Sequence, residues 1–417
     1  MKDFVIFSLG CKTNQAEGQS LAEAVNKIGY SVTIDLVPAR YYVLNTCSVT
    51  AEADKKSRQA VARILKLNNN AEIFVIGCAS QYNAQAFINK PNVRFVGGTA
   101  QKAQAFEQIL QIIQLKNNGY ATPSSMVIAP FSDTFECLDK PYKSRMRAYI
   151  KVQDGCNRYC SYCIVPYLRG KSRSRELSDI MLQARLLAAE SKELIITGIN
   201  LSDYRIGGVP ALAELVRSFA SIDAARKRLG SLSVDAVTRD LLEAVREAGF
   251  CQHFHLSVQS GSDTVLQRMN RRYTTADVLE KVRLIREYYP NCGITSDIIT
   301  GFPQETEQEF NETVQTVKQA AFSDVHIFPY SERGGTKAAG MPQVDISIRK
   351  QRAAVLDGVC AALKKDFLQA QIGKEASVYI EDAAGGYTEN YCKLYVNAPI
   401  GEIVCIKPLK LYKDGLM

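Results

Sequence analysis

The sequence predicts an α/β protein in three parts: an N-terminal doubly wound α/β domain, a central partial barrel of six β/α units, and a small barrel-like β module at the C-terminus. Three observations predict it. Short apolar runs alternate with stretches of helical periodicity over most of the chain, the pattern of buried parallel strands joined by helices. Three of the N-terminal runs end in a cysteine-bearing turn, beyond the carboxyl ends of strands, where doubly wound sheets bind ligands. The last stretch reads instead as short strands punctuated by turns.

In residues 1–116 the expected strands are Phe4–Leu9, Tyr41–Leu44, Ile73–Ile76 and Val93–Val96. Between them, Asn14–Ile28, Ala51–Leu67 and Gln101–Leu115 have helical periodicity. Residues 117–144, with Asn117-Asn118-Gly119, Pro123, Pro130 and Pro141, read as an irregular linker. Residues 145–345 carry six further strand-like runs: Tyr149–Val152, Leu194–Thr197, Leu229–Val234, Phe254–Val258, Gly293–Ile299 and Val325–Phe328. Residues 346–372 form a connecting helix with an apolar stripe of Val355, Val359, Leu363 and Phe367, stopped at Gly373. In residues 373–417 the strands are Ser377–Ile380, Asn390–Val396 and Glu402–Pro408.

Apolar content of 46% and charged content of 23% are ordinary for a globular chain of 417 residues. No run of about 18 uncharged apolar residues is present, so no membrane span is expected. The start, Met1-Lys2-Asp3-Phe4, lacks the apolar core and cleavage site of a signal peptide, which points to the cytoplasm. There, twelve cysteines suggest metal or catalysis more than disulfides. The net charge of +8 is unevenly placed: from Lys140 to Arg175 ten Lys or Arg stand against Asp154 alone. Such a run suggests a polyanionic partner, with Arg145, Arg169, Lys171, Arg173 and Arg175 as candidate phosphate contacts.

Within that run lies Cys156-Asn-Arg-Tyr-Cys160-Ser-Tyr-Cys163. Thiolates at this C-x3-C-x2-C spacing suit an iron–sulfur cluster or zinc. Three ligands leave one corner of a four-iron cluster open for an exchangeable ligand. Zinc needs a fourth protein ligand, and Cys137 is the available one. A second set is Cys11, Cys47 and Cys78, in Gly10-Cys11-Lys12-Thr13-Asn14, Asn45-Thr46-Cys47-Ser48 and Gly77-Cys78-Ala79-Ser80. A single cysteine at a strand end is commonly a small buried hydrophobe, but three at equivalent positions suggest a second cluster. Tyr159 and Tyr162 either shield the loop or stack on a base. His253 and His255 alternate on a strand and are expected to share one face for packing or hydrogen bonding. Cys292, Cys360, Cys392 and Cys405 read as core or incidental thiols.

With these pieces in place, the chain resembles the radical-SAM methylthiotransferases over essentially its full length, the C-terminal part being TRAM-like. Ser8-Leu9-Gly10-Cys11-Lys12-Thr13-Asn14 looks most like the MtaB-type branch, as do Gln267–Thr274, His326-Ile327-Phe328-Pro329-Tyr330-Ser331 and Gly386–Tyr391. Ser257 stands where the family usually has Pro, and Ser262 where this branch often has Cys. The terminal module, with five Lys against six acids, has a net charge of −1, unlike a basic RNA-anchoring domain.

The resemblance implies two 4Fe-4S clusters and S-adenosylmethionine (SAM). The cluster on Cys156, Cys160 and Cys163 would pass an electron into SAM, whose deoxyadenosyl radical takes a hydrogen from the substrate. The cluster on Cys11, Cys47 and Cys78 would supply a sulfur methylated by a second SAM. Gly198, Asn200, Gln259, Asp297 and Gly301 fall where the superfamily contacts SAM. The branch adds a methylthio group at carbon 2 of N6-threonylcarbamoyladenosine, position 37 of tRNA, beside the anticodon. The implied partners are the tRNA anticodon loop and an electron donor such as flavodoxin or ferredoxin, with no membrane and a monomeric chain. Alternatives are the isopentenyladenosine or ribosomal-protein branch, a zinc-containing RNA-binding protein without catalysis, and a two-cluster electron carrier.

Overall fold

The structure is a computed structural model that describes residues 2–136 and 147–417. Cys137, Lys140, Lys143 and Arg145 lie outside the described residues. The chain divides into two compact units, the first made of residues 1–159, 163–191 and 196–210, the second of 160–162, 192–195 and 211–417.

The first unit begins with β1 (Lys2–Ser8), α1 (Lys12–Lys27), β2 (Val32–Thr33), β3 (Ala39–Thr46), α2 (Ala51–Leu67), β4 (Glu72–Gly77), α3 (Cys78–Tyr82), α4 (Gln85–Ile88), β5 (Val93–Gly97), α5 (Lys102–Asn117) and β6 (Ser125–Val127). The strands form one parallel sheet in the order β2-β1-β3-β4-β5-β6. Both faces are covered, as continuous apolar strands require. Phe4, Ile6, Tyr41, Val43, Phe74 and Phe95 pack with α1 and α5 residues such as Leu21, Val25 and Ile109. Val5, Tyr42, Leu44, Ile73 and Val75 pack with Val61 and Ile64 of α2 and Phe87 of α4. All four expected strands and three expected helices are present. The two edge strands were not expected, and β6 lies within the predicted linker, where Ser125–Val127 pairs with Phe95–Gly97. Two- and three-residue strands carry too little periodicity to read.

The same unit continues with β7 (Arg147–Asp154), α6 (Val165–Arg169), β8 (Arg173–Ser174), α7 (Leu177–Ala188), the last residues of β9 (Glu193–Gly198), and the ribbon β10 (Arg205–Ile206) and β11 (Val209–Pro210). Within the unit β7 lies beside α1, where the Gln19 side chain reaches both Arg147 O and Tyr149 N at 3.4 Å.

The second unit contains α8 (Leu212–Ser218), β12 (Arg226–Leu229), α9 (Arg239–Glu247), β13 (His253–Gln259), α10 (Asp263–Arg268), α11 (Thr275–Tyr288), β14 (Gly293–Thr300), α12 (Glu307–Ala320), β15 (Asp324–Pro329) and α13 (Ile346–Gln369). Strands β13, β14 and β15 form a parallel sheet, and the bridges Lys227–Phe250 and Leu232–Leu256 tie β12 to its edge. The second unit is thus built on an α/β repeat with parallel strands. Helices α9, α11 and α12 open on Thr238, Thr274 and Thr306, each accepting a first-turn amide, and the last two close capping boxes through Asp277 and Glu309.

Two expectations shift. The third barrel strand is Arg226–Leu229, not Leu229–Val234, where Val234–Ala236 is a single 3-10 turn. Its arginines are buried because they are paired. Arg228 meets Glu193, and Arg226 donates to Tyr387 O and Ser377 O at 2.9 Å. On α13, Val355 is 50% exposed, and the buried stripe is Arg349, Arg352, Leu356, Cys360 and Leu368. Arg352 pairs with Glu305 at 2.8 Å, which lets a charge sit where the apolar pattern was expected.

The chain ends in β16 (Ala376–Asp382), β17 (Gly385–Thr388), β18 (Lys393–Tyr395), β19 (Ile403–Ile406), β20 (Leu411–Tyr412) and β21 (Gly415–Leu416), a strand-rich sheet of order β19-β16-β17-β18-β21-β20. Val378, Ile380, Leu394 and Leu416 form its core with Leu368 of α13. Among the described residues no helix is long and apolar enough to cross a membrane.

Candidate active site: two cysteine sets and their supports

The first cysteine set is assembled within the first unit by three neighbouring strands. Cys11 is the N-cap of α1, Cys47 follows β3 and Cys78 opens α3. Strands β1, β3 and β4 run parallel and side by side, so these turns share one rim. Asn14, wholly buried, donates to Leu9 O at 2.8 Å and Thr46 O at 2.9 Å, tying the turn before Cys11 to the residue before Cys47. Thr46 Oγ1 accepts from the amides of Ala79 and Ser80 at 3.1 and 3.3 Å, just past Cys78. Ser57 Oγ accepts from Cys47 N–H at 3.1 Å and donates to Cys47 O at 2.9 Å. Gly10 has φ +92°, and a Cβ there would stand 2.4 Å from Cys47 Sγ. Only glycine leaves that sulfur room.

Cys47 and Cys78 are buried and Cys11 is exposed. Burial, then the nearness of Cys78, pushes the Cys47 thiol up to about 12. Burial also raises Cys78, against the pull of Arg169. Without metal these thiols keep their protons, and a metal ligated by them must displace those protons.

The surrounding charge favours that exchange. Arg169, at the end of α6, donates to Glu17 at 2.9 and 3.2 Å, to Asp154 at 3.0 Å and to Asn14 Oδ1 at 2.5 Å. Lys102 also pairs with Glu17, and Lys151 bridges Glu17 and Asp154 at 2.7 and 2.6 Å. Burial works against the charge of Arg169, but Glu17 and Asp154 hold it well above its ordinary value. Burial likewise opposes the Glu17 carboxylate, which Arg169, Lys102 and Lys151 hold well below the usual range. Three buried cations thus face two carboxylates, and the surplus positive charge lies beside Cys78. A thiolate-ligated, anionic cluster fits that surplus.

The second set follows β7. Cys156 and Cys163 belong to the first unit and Cys160 to the second, and all three are partly exposed. Gly155, at φ +70°, starts the loop, and a Cβ there would meet Lys171 O at 1.9 Å. Tyr159 is also left-handed, at φ 47°, an uncommon setting for a bulky residue. In the first unit Arg158 N–H points to Cys156 Sγ at 3.5 Å; in the second, Arg271 Nη1 donates to Cys160 Sγ at 3.4 Å. Such N–H···S bonds stabilise thiolate ligands. Cys78 packs against Ile164 and Leu168, so the residue that follows Cys163 touches the first set.

The residues expected near SAM lie in different settings. In the first unit, Gln153 is wholly buried. Its Oε1 accepts the Asn200 amide at 2.8 Å, its Nε2 reaches Gly155 O and Ser172 Oγ at 2.9 Å, and Gly198 packs on it. Asn200 Nδ2 is a buried donor with no hydrogen-bond partner among the described residues, as a ligand-holding amide would be. In the second unit Gln259 ends β13 at a register shift with φ +72°, a strained position for a side chain. Asp297 Oδ2 lies 3.0 Å from His255 Nε2. Gly301 does approach a neighbour closely, but the neighbour is Arg349, whose Cγ would stand 2.4 Å from its Cβ.

Among the described residues the basic run is largely taken inward. Arg169 and Arg175 are buried, Arg175 holding Gln183 and Asp179 O. Arg173 is mostly covered and donates to Arg169 O at 3.0 Å. Of the described phosphate candidates only Lys171 is exposed. The sequence shows their charge but not the partners that bury it. His253 and His255 do share a face, both meeting Thr295 Oγ1 at 2.9 Å. Tyr162 packs with Met269, Phe302 and Tyr330, whereas Tyr159 is 45% exposed and edge-on to the exposed Tyr167 at 5.9 Å. Cys292, Cys360 and Cys392 are buried and Cys405 is exposed. A cleft of the second unit, lined by Gln252, Asn291, Lys374, Glu375 and Asn390, holds none of the six site cysteines. Sequence reasoning missed Gln153 and Arg271, and the only signal was a polar residue next to each cysteine-bearing turn or its partner helix.

Residues 150–317 match the Radical SAM superfamily, and residues 3–98 match "Uncharacterized protein family UPF0004". The threonylcarbamoyladenosine tRNA methylthiotransferase MtaB of Bacillus subtilis is 33% identical, covering 100% of this chain and 96% of that protein. Its counterpart in Thermotoga maritima is 35% identical, with the same coverage. The tRNA-2-methylthio-N(6)-dimethylallyladenosine synthase of Syntrophus aciditrophicus is 32% identical over 93% of this chain and 85% of its own. Among solved structures, the radical SAM methyltransferase TsrM of Kitasatospora setae superposes with a TM-score of 0.57 at 15% identity. It covers 81% of this chain and 74% of its own, a likeness of fold. The fold, the two cysteine sets and this full-length identity agree: the chain belongs to the radical SAM methylthiotransferase family, in its MtaB-like branch.

Proposed function

We propose that the protein installs a methylthio group at carbon 2 of N6-threonylcarbamoyladenosine in tRNA, using two 4Fe-4S clusters and two SAM per turnover. The observation that carries this reading is the first cysteine set, three thiols on one rim with surplus buried positive charge beside them. It is a metal site additional to the cysteine loop, with a direct packing contact between Cys78 and Ile164. Full-length similarity to relatives named for threonylcarbamoyladenosine supports the substrate.

Cys156, Cys160 and Cys163 would hold one cluster and Cys11, Cys47 and Cys78 the other. When bound, these groups and SAM supply a radical able to take hydrogen from an aromatic carbon and the methylated sulfur that replaces it. The chain's own residues position and shield. Asn200 offers its unpaired amide to SAM from a backbone fixed by Gln153, and Gly198 keeps that approach open. Gln259 is assigned to the same cofactor. Arg271 and Arg158 hold the cysteine loop with N–H···S bonds. An electron donor such as flavodoxin or ferredoxin would serve a monomeric, cytoplasmic enzyme.

Nucleoside mass spectrometry of tRNA from a deletion strain tests the reading. The methylthio-threonylcarbamoyl nucleoside should vanish while its unmethylthiolated precursor accumulates; its persistence would remove the proposal. Anaerobically purified protein should carry about eight irons per chain if both sets are filled. Zinc without acid-labile sulfide would instead support a structural RNA-binding module.

A further inference from the structure

In the second unit, β13, β14 and β15 present a polar face. Residues alternate across a strand, and His255, Thr295, Asp297 and His326 share the face opposite the buried Leu256, Ser296, Ile298 and Val325. The register sets His255 beside Thr295 and Asp297 beside His326. One ligand atom each from His255, Asp297 and His326 lies within 4.8 Å of the others. Thr295 Oγ1 orients the His255 ring through Nδ1 at 2.9 Å, leaving Nε2 against Asp297 at 3.0 Å.

Exposure grades along this face. The His255 side chain is 11% exposed, Asp297 25%, and His326 is open. Two residues further along β15, about 7 Å on, Phe328 presents a ring that is 44% exposed on the same face. Phe328 lies nearer the carboxyl ends of the strands, where barrel enzymes carry out chemistry, and the histidines lie deeper.

We propose that His255, Asp297 and His326 form the seat for the threonylcarbamoyl substituent of the target base. The inference rests on the substrate reading above and names the residues that read it. The substituent carries a carboxylate, a hydroxyl and ureido N–H groups. His326 donates to the carboxylate; Asp297, which the family resemblance places near SAM, instead accepts from the hydroxyl or an N–H; and His255 positions Asp297. Phe328 offers a flat apolar surface for the base, as proteins commonly offer a splayed-out nucleotide. A dimethylallyl group has no polar atom, and seating it here would leave these groups without partners. A site built to hydrogen-bond its substrate rejects an analogue lacking those groups far more strongly than an apolar pocket rejects an added methylene. The polar face therefore suits the threonylcarbamoyl substituent better than a dimethylallyl group.

The test uses the cluster-loaded enzyme and an anticodon stem–loop RNA bearing either threonylcarbamoyladenosine or dimethylallyladenosine. His326→Leu should lower kcat/KM on the first RNA by about 100-fold, mostly through KM, as expected for a lost charged hydrogen bond. His326→Gln, which keeps a donor, should recover part of it. The preference for the first RNA over the second should fall, and iron content and melting temperature should match wild type. Unchanged kcat/KM and preference in His326→Leu would overturn the seat and leave the substrate reading standing. A wild-type enzyme inactive on the first RNA would overturn that reading and the seat with it. Loss in His326→Leu of a metal ion beyond the cluster iron would also overturn the seat, in favour of a cation site of two imidazoles and a carboxylate.

Discussion

Arg169 and Glu17 meet through two parallel N–H···O bonds, with the side chains 1% and 2% exposed. The pair joins the end of α6, just after the cysteine loop, to the helix capped by Cys11. Removing Arg169 leaves Glu17 and Asp154 to Lys102 and Lys151, but takes away the surplus positive charge beside Cys78 and the buried hydrogen bonds to Glu17, Asp154 and Asn14. Arg169→Met should therefore lower the melting temperature and the iron bound by the first set, bringing iron towards half the wild-type content. Arg169→Lys keeps the charge without the fork and should fall between. Iron analysis with thermal melts checks this, and full iron in Arg169→Met would contradict it.

The same pair sets a pH dependence. Glu17 is held well below its ordinary value of 4.5, so its contribution to stability is fully present above that pH. It is lost as pH falls further, because the unfolded chain takes up a proton before the folded one does. Denaturant unfolding from pH 7 down should show wild-type stability declining below about pH 4.5. Glu17→Gln should start less stable and decline with a shallower slope.

Gly10 and Cys47 give a steric prediction. A methyl at position 10 would collide with Cys47 Sγ in a backbone conformation that alanine disfavours. Gly10→Ala should lose iron from the first set. On the proposed assignment of the first set, Cys47→Ala should abolish the methylthio product, while reductive SAM cleavage stays measurable. Loss of both activities in Cys47→Ala would contradict separate roles for the two sets.

Gln153 supports Asn200 from beneath. Gln153→Leu would leave the Asn200 amide and the Gly155 carbonyl unpaired, a loss of about 1–3 kcal/mol. The KM for SAM, followed by deoxyadenosine release, should rise by about tenfold. An unchanged KM would show that Gln153 does not position the cofactor.

Tyr159 of the cysteine loop and Tyr167 of α6 form an exposed aromatic pair. Tyr159→Ala should weaken binding of the anticodon stem–loop by about 1–3 kcal/mol if a base stacks there. Fluorescence anisotropy on the metal-loaded enzyme measures it, and equal affinity would assign the pair to packing alone.

The strands that carry the cysteines were legible because runs such as Phe4–Leu9 and Ile73–Ile76 are apolar throughout. The order of strands then follows from parallel crossovers, so one rim for Cys11, Cys47 and Cys78 was readable too. What could not be read were charges with distant partners. Arg226-Lys227-Arg228 lacks the apolar run of a buried strand, so the pattern points to Leu229–Val234 instead; Glu193 and the carbonyls of Ser377 and Tyr387 are what bury it. Arg349 and Arg352 hide the true stripe of α13 for the same reason. Arg169 and Arg175 looked like phosphate contacts because composition reports charge without burial.

The residues that complete the first cysteine site are 152 positions apart in the chain, from Glu17 to Arg169. A ribosome that has released only the first sheet has made every thiol of that site but not the guanidinium that balances Glu17 beneath it. The N-terminal segment on its own would keep the Lys102–Glu17 pair but lack Arg169, Lys151 and Asp154, so the charged floor under these thiols is complete only once the helix behind Cys163 has been made. Completion of the first cysteine site is thereby tied to the stretch of chain that carries the second.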